Sequence, residues 1–337
     1  YIYGSLFLDY IAETYGDEAL GEIVDRTASA WLPPSLFWDR VAKRTFGASF
    51  DDAYADWRRA LETRVTALAD SLRAEGLTES ERVTDHQWYA LYPRMSPDGS
   101  RLAYAAQDGR DVTATRVLDV ATGERLWNVR RNGLGGLAWL PDGSGLVVSQ
   151  LEYTSTYRIR QDLVLVTPGG TERITRDARL QDPDVAGDGL RIVAVENDAG
   201  TNRLVIVDRT TGEVRPLTEF APDVHWASPR WSPDGARVAV SRFTRGGEYD
   251  VVVLDTAGVI LARLTADHAI DTHATWSPDG RWILFSSDRS GIPNLYAAEV
   301  AVTEGGPSVA APVTLRQVTN VLTGAFHPDV SPDGRWI

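Results

Sequence analysis

One short tract recurs along most of this chain at a nearly constant interval, and that interval limits the folds open to it. Pro93-Arg94-Met95-Ser96-Pro97-Asp98-Gly99 returns as Trp139-Leu140-Pro141-Asp142-Gly143 and, degraded, as Val185-Ala186-Gly187-Asp188-Gly189. It comes back as Trp231-Ser232-Pro233-Asp234-Gly235, Trp276-Ser277-Pro278-Asp279-Gly280 and Val330-Ser331-Pro332-Asp333-Gly334. The aspartates at 98, 142, 188, 234, 279 and 333 stand 44, 46, 46, 45 and 54 residues apart. Pro presets φ and Gly accepts a positive φ, so each tract makes a tight reversal.

Each interval reads as four short strands. An alternating strand follows the reversal, as in Arg237 to Ser241 or Trp282 to Ser286. After a second Gly-containing turn comes an apolar third strand, Leu204 to Val207 or Val251 to Leu254. A strand apolar on both sides belongs in a sheet covered on both faces. Beyond Thr211-Gly212 or Ala257-Gly258, a short fourth strand ends in Leu-Thr. Four strands at this period make a β-propeller blade. The turn aspartates read as local caps that accept backbone N–H groups. Each serves its own blade, so together they make no calcium site. Trp139, Trp231 and Trp276, which precede the turns, read as filling between blades.

At 337 residues the chain exceeds one ordinary domain, which fits a repeat array plus an appendage. Its net charge of −13 argues against nucleic acid and against anionic lipid, because both need clustered Lys and Arg. With no cysteine, disulfides and thiolate chemistry are excluded. No apolar run approaches the roughly 20 residues of a membrane helix. The chain opens at Tyr1 inside a helical pattern and ends at Ile337 part-way through a repeat, so we read it as a piece of a longer protein.

The Ser-Pro-Asp-Gly tract, followed by a basic residue and an aliphatic-aromatic strand, resembles the TolB-type, or PD40, propeller repeat. The resemblance covers about 250 residues, and the third repeat departs most because Ala186-Gly187 replaces Ser-Pro. It implies a six-bladed ring in bacterial extracytoplasmic (periplasmic) proteins, used mainly as a platform for protein or ligand binding. The same repeat covers the active site of prolyl-type oligopeptidases, but the Gly-x-Ser-x-Gly of their hydrolase domain does not occur here.

Residues 1 to 75 carry no strand pattern. Leu6, Tyr10 and Ile11 lie at helical spacing before Gly16, a good left-handed stop. Asp17 can cap a second helix, Pro33-Pro34 opens a third that Gly47 ends, and Ser49 with Asp52 approximates a capping box for a fourth. Tyr1-x-x-Gly4, Phe7-x-x-Tyr10, Tyr15-Gly16-Asp17-Glu18-Ala19-Leu20 and Phe46-Gly47-x-Ser49 with Trp57-Arg58 together resemble the C-terminal helices of a gluzincin (peptidase MA-like) domain. The zinc motif of such a domain, His-Glu-x-x-His, is absent from this chain, so no zinc site can be built from this segment. By the resemblance, Tyr1 matches a tyrosine that stabilises an oxyanion; by its own sequence context, it is a packing residue of an amphipathic helix.

The five histidines, His86, His225, His268, His273 and His327, all fall between the fourth strand of one blade and the first strand of the next. His273 and His327 occupy matched positions, and the equivalents elsewhere are Tyr92, Gly136, Asp182 and Ser228. Such a ring at a channel mouth could hold a transition metal or an anionic peptide end, or serve only local hydrogen bonds.

The expectation is an α+β multidomain chain: an all-α segment over 1–75, a linker over 76–85, and an all-β propeller over 86–337 whose sixth blade is truncated. Ring closure then needs further chain or a strand borrowed from residues 83 to 91. Two functions stay open. One is an extracytoplasmic platform for a protein or peptide, needing no cofactor. The other is a zinc metallopeptidase whose metal motif lies upstream of Tyr1 and whose propeller is accessory.

Overall fold

The computed structural model describes residues 2–29, 38–84, 88–198, 200–300 and 314–337. The chain divides into two units, Tyr1–Gly76 and Leu77–Ile337. Among the described residues, no helix is long and apolar enough to cross a membrane.

The first unit holds α1 (Ile2–Tyr15), α2 (Glu18–Ala28), α3 (Trp38–Phe46) and α4 (Phe50–Glu75). Gly16 stops α1 with a left-handed φ of 93°. Ser49 caps α4 by accepting the Asp52 N–H at 3.0 Å. The Asp52 carboxylate takes the Ser49 hydroxyl at 2.6 Å, so the pair bonds side chain to side chain. Asp17 does not act as expected: it lies in helical geometry itself and makes no side-chain cap. Ile11, Ala19, Ile23 and Val41 form the buried centre, with Phe7, Tyr15, Phe46 and Phe50 packed against it. Tyr15 stacks on Phe46 at 4.6 Å, and Phe7 meets Trp57 at 5.6 Å. Tyr1 and Pro33-Pro34 lie outside the described residues.

The second unit is built of five four-stranded antiparallel sheets, each with its strands in chain order. They are β1 (Tyr89–Met95), β2 (Arg101–Asp108), β3 (Asp111–Asp119) and β4 (Arg125–Arg130), then β5 (Leu137–Trp139), β6 (Leu146–Ser155), β7 (Arg158–Thr167) and β8 (Gly170–Arg173). The third holds β9 (Leu180–Val185), β10 (Arg191–Asp198), β11 (Thr201–Asp208) and β12 (Val214–Pro216). Next come β13 (Val224–Trp231), β14 (Arg237–Thr244), β15 (Glu248–Asp255) and β16 (Ile260–Arg263), and last β17 (Asp271–Trp276), β18 (Trp282–Ser287), β19 (Asn294–Glu299) and β20 (Leu315–Gln317). Among the described residues, five sheets and not six blades are formed. Around the sixth Pro-Asp-Gly the described residues show a turn without a ladder. Residues 77–84, read from sequence as part of a linker, group with this unit. There Thr78 exchanges two hydrogen bonds with Asn320, at 2.9 and 2.8 Å.

The core lies between successive sheets. Val193, Val195 and Leu204 of the third sheet share one cluster with Val238, Val240 and Val252 of the fourth. Ala239, Val251 and Val253 on the other face of that fourth sheet pack with Ile283, Phe285 and Tyr296 of the fifth. Each central strand is thus apolar on both sides, and each fully buried Val, Leu or Ile contributes about 1.5–3 kcal/mol. The tryptophans sit at these seams. Trp139 donates its indole N–H to the Arg94 carbonyl at 3.0 Å, and Trp276 donates to that of Arg230 at 3.1 Å. After three of the turns a basic residue lies over the next blade's tryptophan: Arg101 on Trp139, Arg191 on Trp231 and Arg237 on Trp276, at 4.8–5.1 Å.

All six turn aspartates accept a backbone N–H two residues on, from Ser100, Ser144, Leu190, Ala236, Arg281 and Arg335. Where Ser precedes Pro, its hydroxyl oxygen also accepts an N–H five residues on, at 2.9 Å for Arg101, Arg237, Trp282 and Trp336. The Ser96 hydroxyl and the Ser100 N–H hold the Asp98 carboxylate down at about 2.

Candidate functional site at the channel mouth

The first strands line a common axis, and contacts between them run all the way round. Arg94 Nε donates to the Leu137 carbonyl at 3.1 Å. Gly136 lies against Asp182, where an added Cβ would stand 3.0 Å from its Cα. Ser228 N–H donates to Asp182 Oδ2 at 3.2 Å, and the Trp276 indole of β17 donates to the Arg230 carbonyl of β13 at 3.1 Å. Asp329 closes the circle: it accepts the Met95 N–H at 2.7 Å and the Arg94 guanidinium at 3.1 Å.

The mouth residues reach this axis through one backbone device. Tyr92, Asp182, Ser228, His273 and His327 all adopt a left-handed φ, between 50° and 58°. In β1, β9, β13 and β17 the ladder register slips at that point, so each is a β-bulge that turns its side chain out of the sheet's alternation. Gly136, the sixth equivalent, comes just before the short β5.

The structure brings His273 and His327 together, with ring centroids 3.7 Å apart, and sets Tyr92 against His327 at 4.6 Å. His273 lies within β17 and His225 within β13, not in the connections where the sequence pattern put them. His225 packs on Phe243 instead, at 6.0 Å. His268 stays in the loop before β17, and His86 lies outside the described residues. Among the described residues, no three His, Asp or Glu side chains stand close enough to share a metal ion.

Two residues beyond each bulge lies a second layer that sequence reading missed: Arg94, Ala138, Asp184, Arg230, Thr275 and Asp329. Asp184 repeats on Trp231 and Arg230 what Asp329 does on Met95 and Arg94. It accepts the Trp231 N–H at 2.8 Å and faces the guanidinium of Arg230 at 3.6 Å. The signal was present as charged residues Arg94, Asp184, Arg230 and Asp329, each preceded by Pro at the same offset from the turn aspartate.

Burial sets the protonation of this region. It raises Asp184 to about 7, and it raises Asp182 and Asp329 as well. Burial, with His327 and Arg94 adding to it, lowers His273 to about 3; burial and Arg94 lower His327 to about 4. At neutral pH both rings are neutral, each offering one N–H and one lone pair. The unfolded chain binds protons on these rings near 6.5 and the folded one does not. Their contribution to stability is therefore complete above about 6.5 and lost as pH falls towards 4. Asp184 works in the opposite direction, since its folded form keeps a proton that the unfolded form releases. Asn tolerates a left-handed φ, so a His273→Asn/His327→Asn variant isolates the histidine part. Between pH 7 and 4.5 the variant should lose about 4–5 kcal/mol less stability than the parent in urea titrations.

In an antiparallel blade, the hairpin between the second and third strands ends on the same face as the blade-to-blade links. That link face carries exposed aromatic residues near the mouth: Trp88, Tyr89 and Phe326 at 63%, 50% and 53% exposure, with Tyr153 and Tyr157 further out.

Residues 171–337 match the family model of the TolB beta propeller domain, PD40. An uncharacterized protein of Agrobacterium fabrum is 28% identical over 199 residues, 58% of this chain and 61% of its own length. The Tol-Pal system protein TolB of Francisella tularensis is 28% identical over 161 residues, 47% of this chain and 34% of that protein. The chain thus spans less than two thirds of the length of these curated relatives. Among solved structures, a putative TolB from Agrobacterium tumefaciens superposes with a TM-score of 0.58 at 17% identity, covering 75% of this chain and 89% of that one. Sheet order, turn chemistry and these matches agree: the second unit is a β-propeller similar to the TolB beta propeller domain, PD40.

Proposed function

We propose that the propeller is a bacterial extracytoplasmic platform that binds a protein or peptide on its link face, over the channel mouth. One observation carries this reading: six successive repeats place Tyr92, Gly136, Asp182, Ser228, His273 and His327 at matched positions, five of them with the same left-handed geometry. A fold held together only by its seams has no internal need for that convergence. The exposed aromatics beside it are residues enriched in protein interfaces, and the location rests on the resemblance to TolB.

A photo-crosslinking residue placed at Phe326 of the full-length protein in its own cells should trap a partner. The same residue at Val259, in the β15–β16 turn on the opposite face, should not. Equal trapping at both sites, or none at Phe326, would sink this reading.

A second reading treats the whole protein as a zinc peptidase of gluzincin type. It is favoured by the helical unit, where the landmark residues Phe7, Tyr15, Phe46 and Trp57 converge on one packed cluster. Zinc would then be held by residues upstream of Tyr1. Full-length protein that contains no zinc and cleaves no peptide removes this reading.

A further inference from the structure

The β6–β7 hairpin of the second blade differs from its counterparts. Its strands are 10 residues each, against 8 and 9, 8 and 8, 8 and 8, and 6 and 6 in the other blades. The outer strand does not follow it outward. β8 pairs only with Val164 to Thr167 of β7. At Leu163 the outward carbonyl accepts Ile174 N–H at 2.9 Å, and the outward N–H goes to Thr175 Oγ1 at 3.0 Å. The β6–β7 ladder keeps register from Leu146↔Val166 to Tyr153↔Ile159. Backbone alternation therefore turns the peptide groups of Gln161 and Ile159 to that same outer side. Among the described residues no backbone group bonds there, and the Ile159 carbonyl has only a long 3.5 Å contact from Arg160 Nη1.

The side chains give this open edge a definite chemistry. Ile159 and its cross-strand neighbour Tyr153 share a face with Leu151, and all three are exposed, Tyr153 at 68%. Arg158 and Arg160 point to the opposite face. They share a single carboxylate, Asp177, at 3.6 and 3.5 Å, while Glu152 and Asp162 are taken by Arg173. The two arginines at the edge thus have one carboxylate between them, within a wider cluster of three arginines and three carboxylates.

We propose that Arg158–Gln161 of β7 captures an extended segment of another protein by strand addition, the segment alternating acidic residues with β-branched or aromatic ones. Its backbone would complete the open ladder, its acidic side chains would face Arg158 and Arg160, and its apolar ones would cover Ile159, Tyr153 and Leu151. A second copy of this chain fits poorly. Antiparallel pairing sets an arginine opposite either an arginine or Ile159 of its mate, and like charges directly opposite destabilise a ladder. The surface is separate from the channel mouth and does not rest on the binding proposed there.

The probes are the peptides acetyl-(Val-Glu)4-amide and acetyl-(Val-Lys)4-amide, added to the full chain. The Val-Glu peptide should slow amide exchange over residues 158–163 about tenfold or more, and the Val-Lys peptide should not. R158E/R160E should reverse that preference. Ile159→Pro removes an outward donor and should abolish the effect while leaving thermal unfolding of the propeller within about 2 °C. His273→Asn/His327→Asn should leave it unchanged. Equal protection by both peptides, persistence in Ile159→Pro, or loss in the histidine variant would each overturn the proposal.

Discussion

Asp329→Ala should destabilise the propeller by about 3–5 kcal/mol, the range for breaking one side of a buried ion pair. The carboxylate accepts the Arg94 guanidinium and the Met95 N–H, tying the sixth repeat to the first blade. Without it, Arg94, only 6% exposed, keeps a buried charge facing no carboxylate at that seam. Asp329→Asn retains one oxygen acceptor and should lose less. Urea titration followed by tryptophan fluorescence reads both variants. A loss under about 1 kcal/mol for the alanine variant would show that this contact does not hold the first and sixth repeats together.

Trp276→Ala should cost about 3–5 kcal/mol for a different reason, the loss of a large buried ring. Trp276 packs with Ala239, Val251 and Val253 of the preceding sheet, lies under Arg237 and donates to the Arg230 carbonyl. Trp276→Phe keeps much of the volume and should recover most of the loss. If the alanine and phenylalanine variants unfold at the same denaturant concentration, the indole contacts rather than the volume carry the effect.

Much of the fold was legible because the repeat writes it six times. Turn chemistry at Asp98 or Asp234 depends on residues two to five positions away, so local sequence was enough to read it. Interblade packing of Trp139, Trp231 and Trp276 followed from their regular phase. The candidate site was half legible. Matched offsets picked out Tyr92, Asp182, Ser228, His273 and His327, but their left-handed backbone was not foreseen. A bulge is a property of two strands together, and no single strand announces it. Asp184 and Asp329 were passed over because their partners sit on the neighbouring blade, 47 and 234 residues away in the chain.

The left-handed bulges also restrict what evolution can place at the mouth. A residue branched at Cβ is strongly disfavoured at positive φ, and none of Val, Ile or Thr occurs at positions 92, 182, 228, 273 or 327. Because the main chain does the pointing, one of these side chains can be exchanged for another while the hydrogen-bonded scaffold stays as it is. The side-chain chemistry at this orifice can thus drift within a restricted alphabet of polar and aromatic types, at little expense to the architecture that presents it.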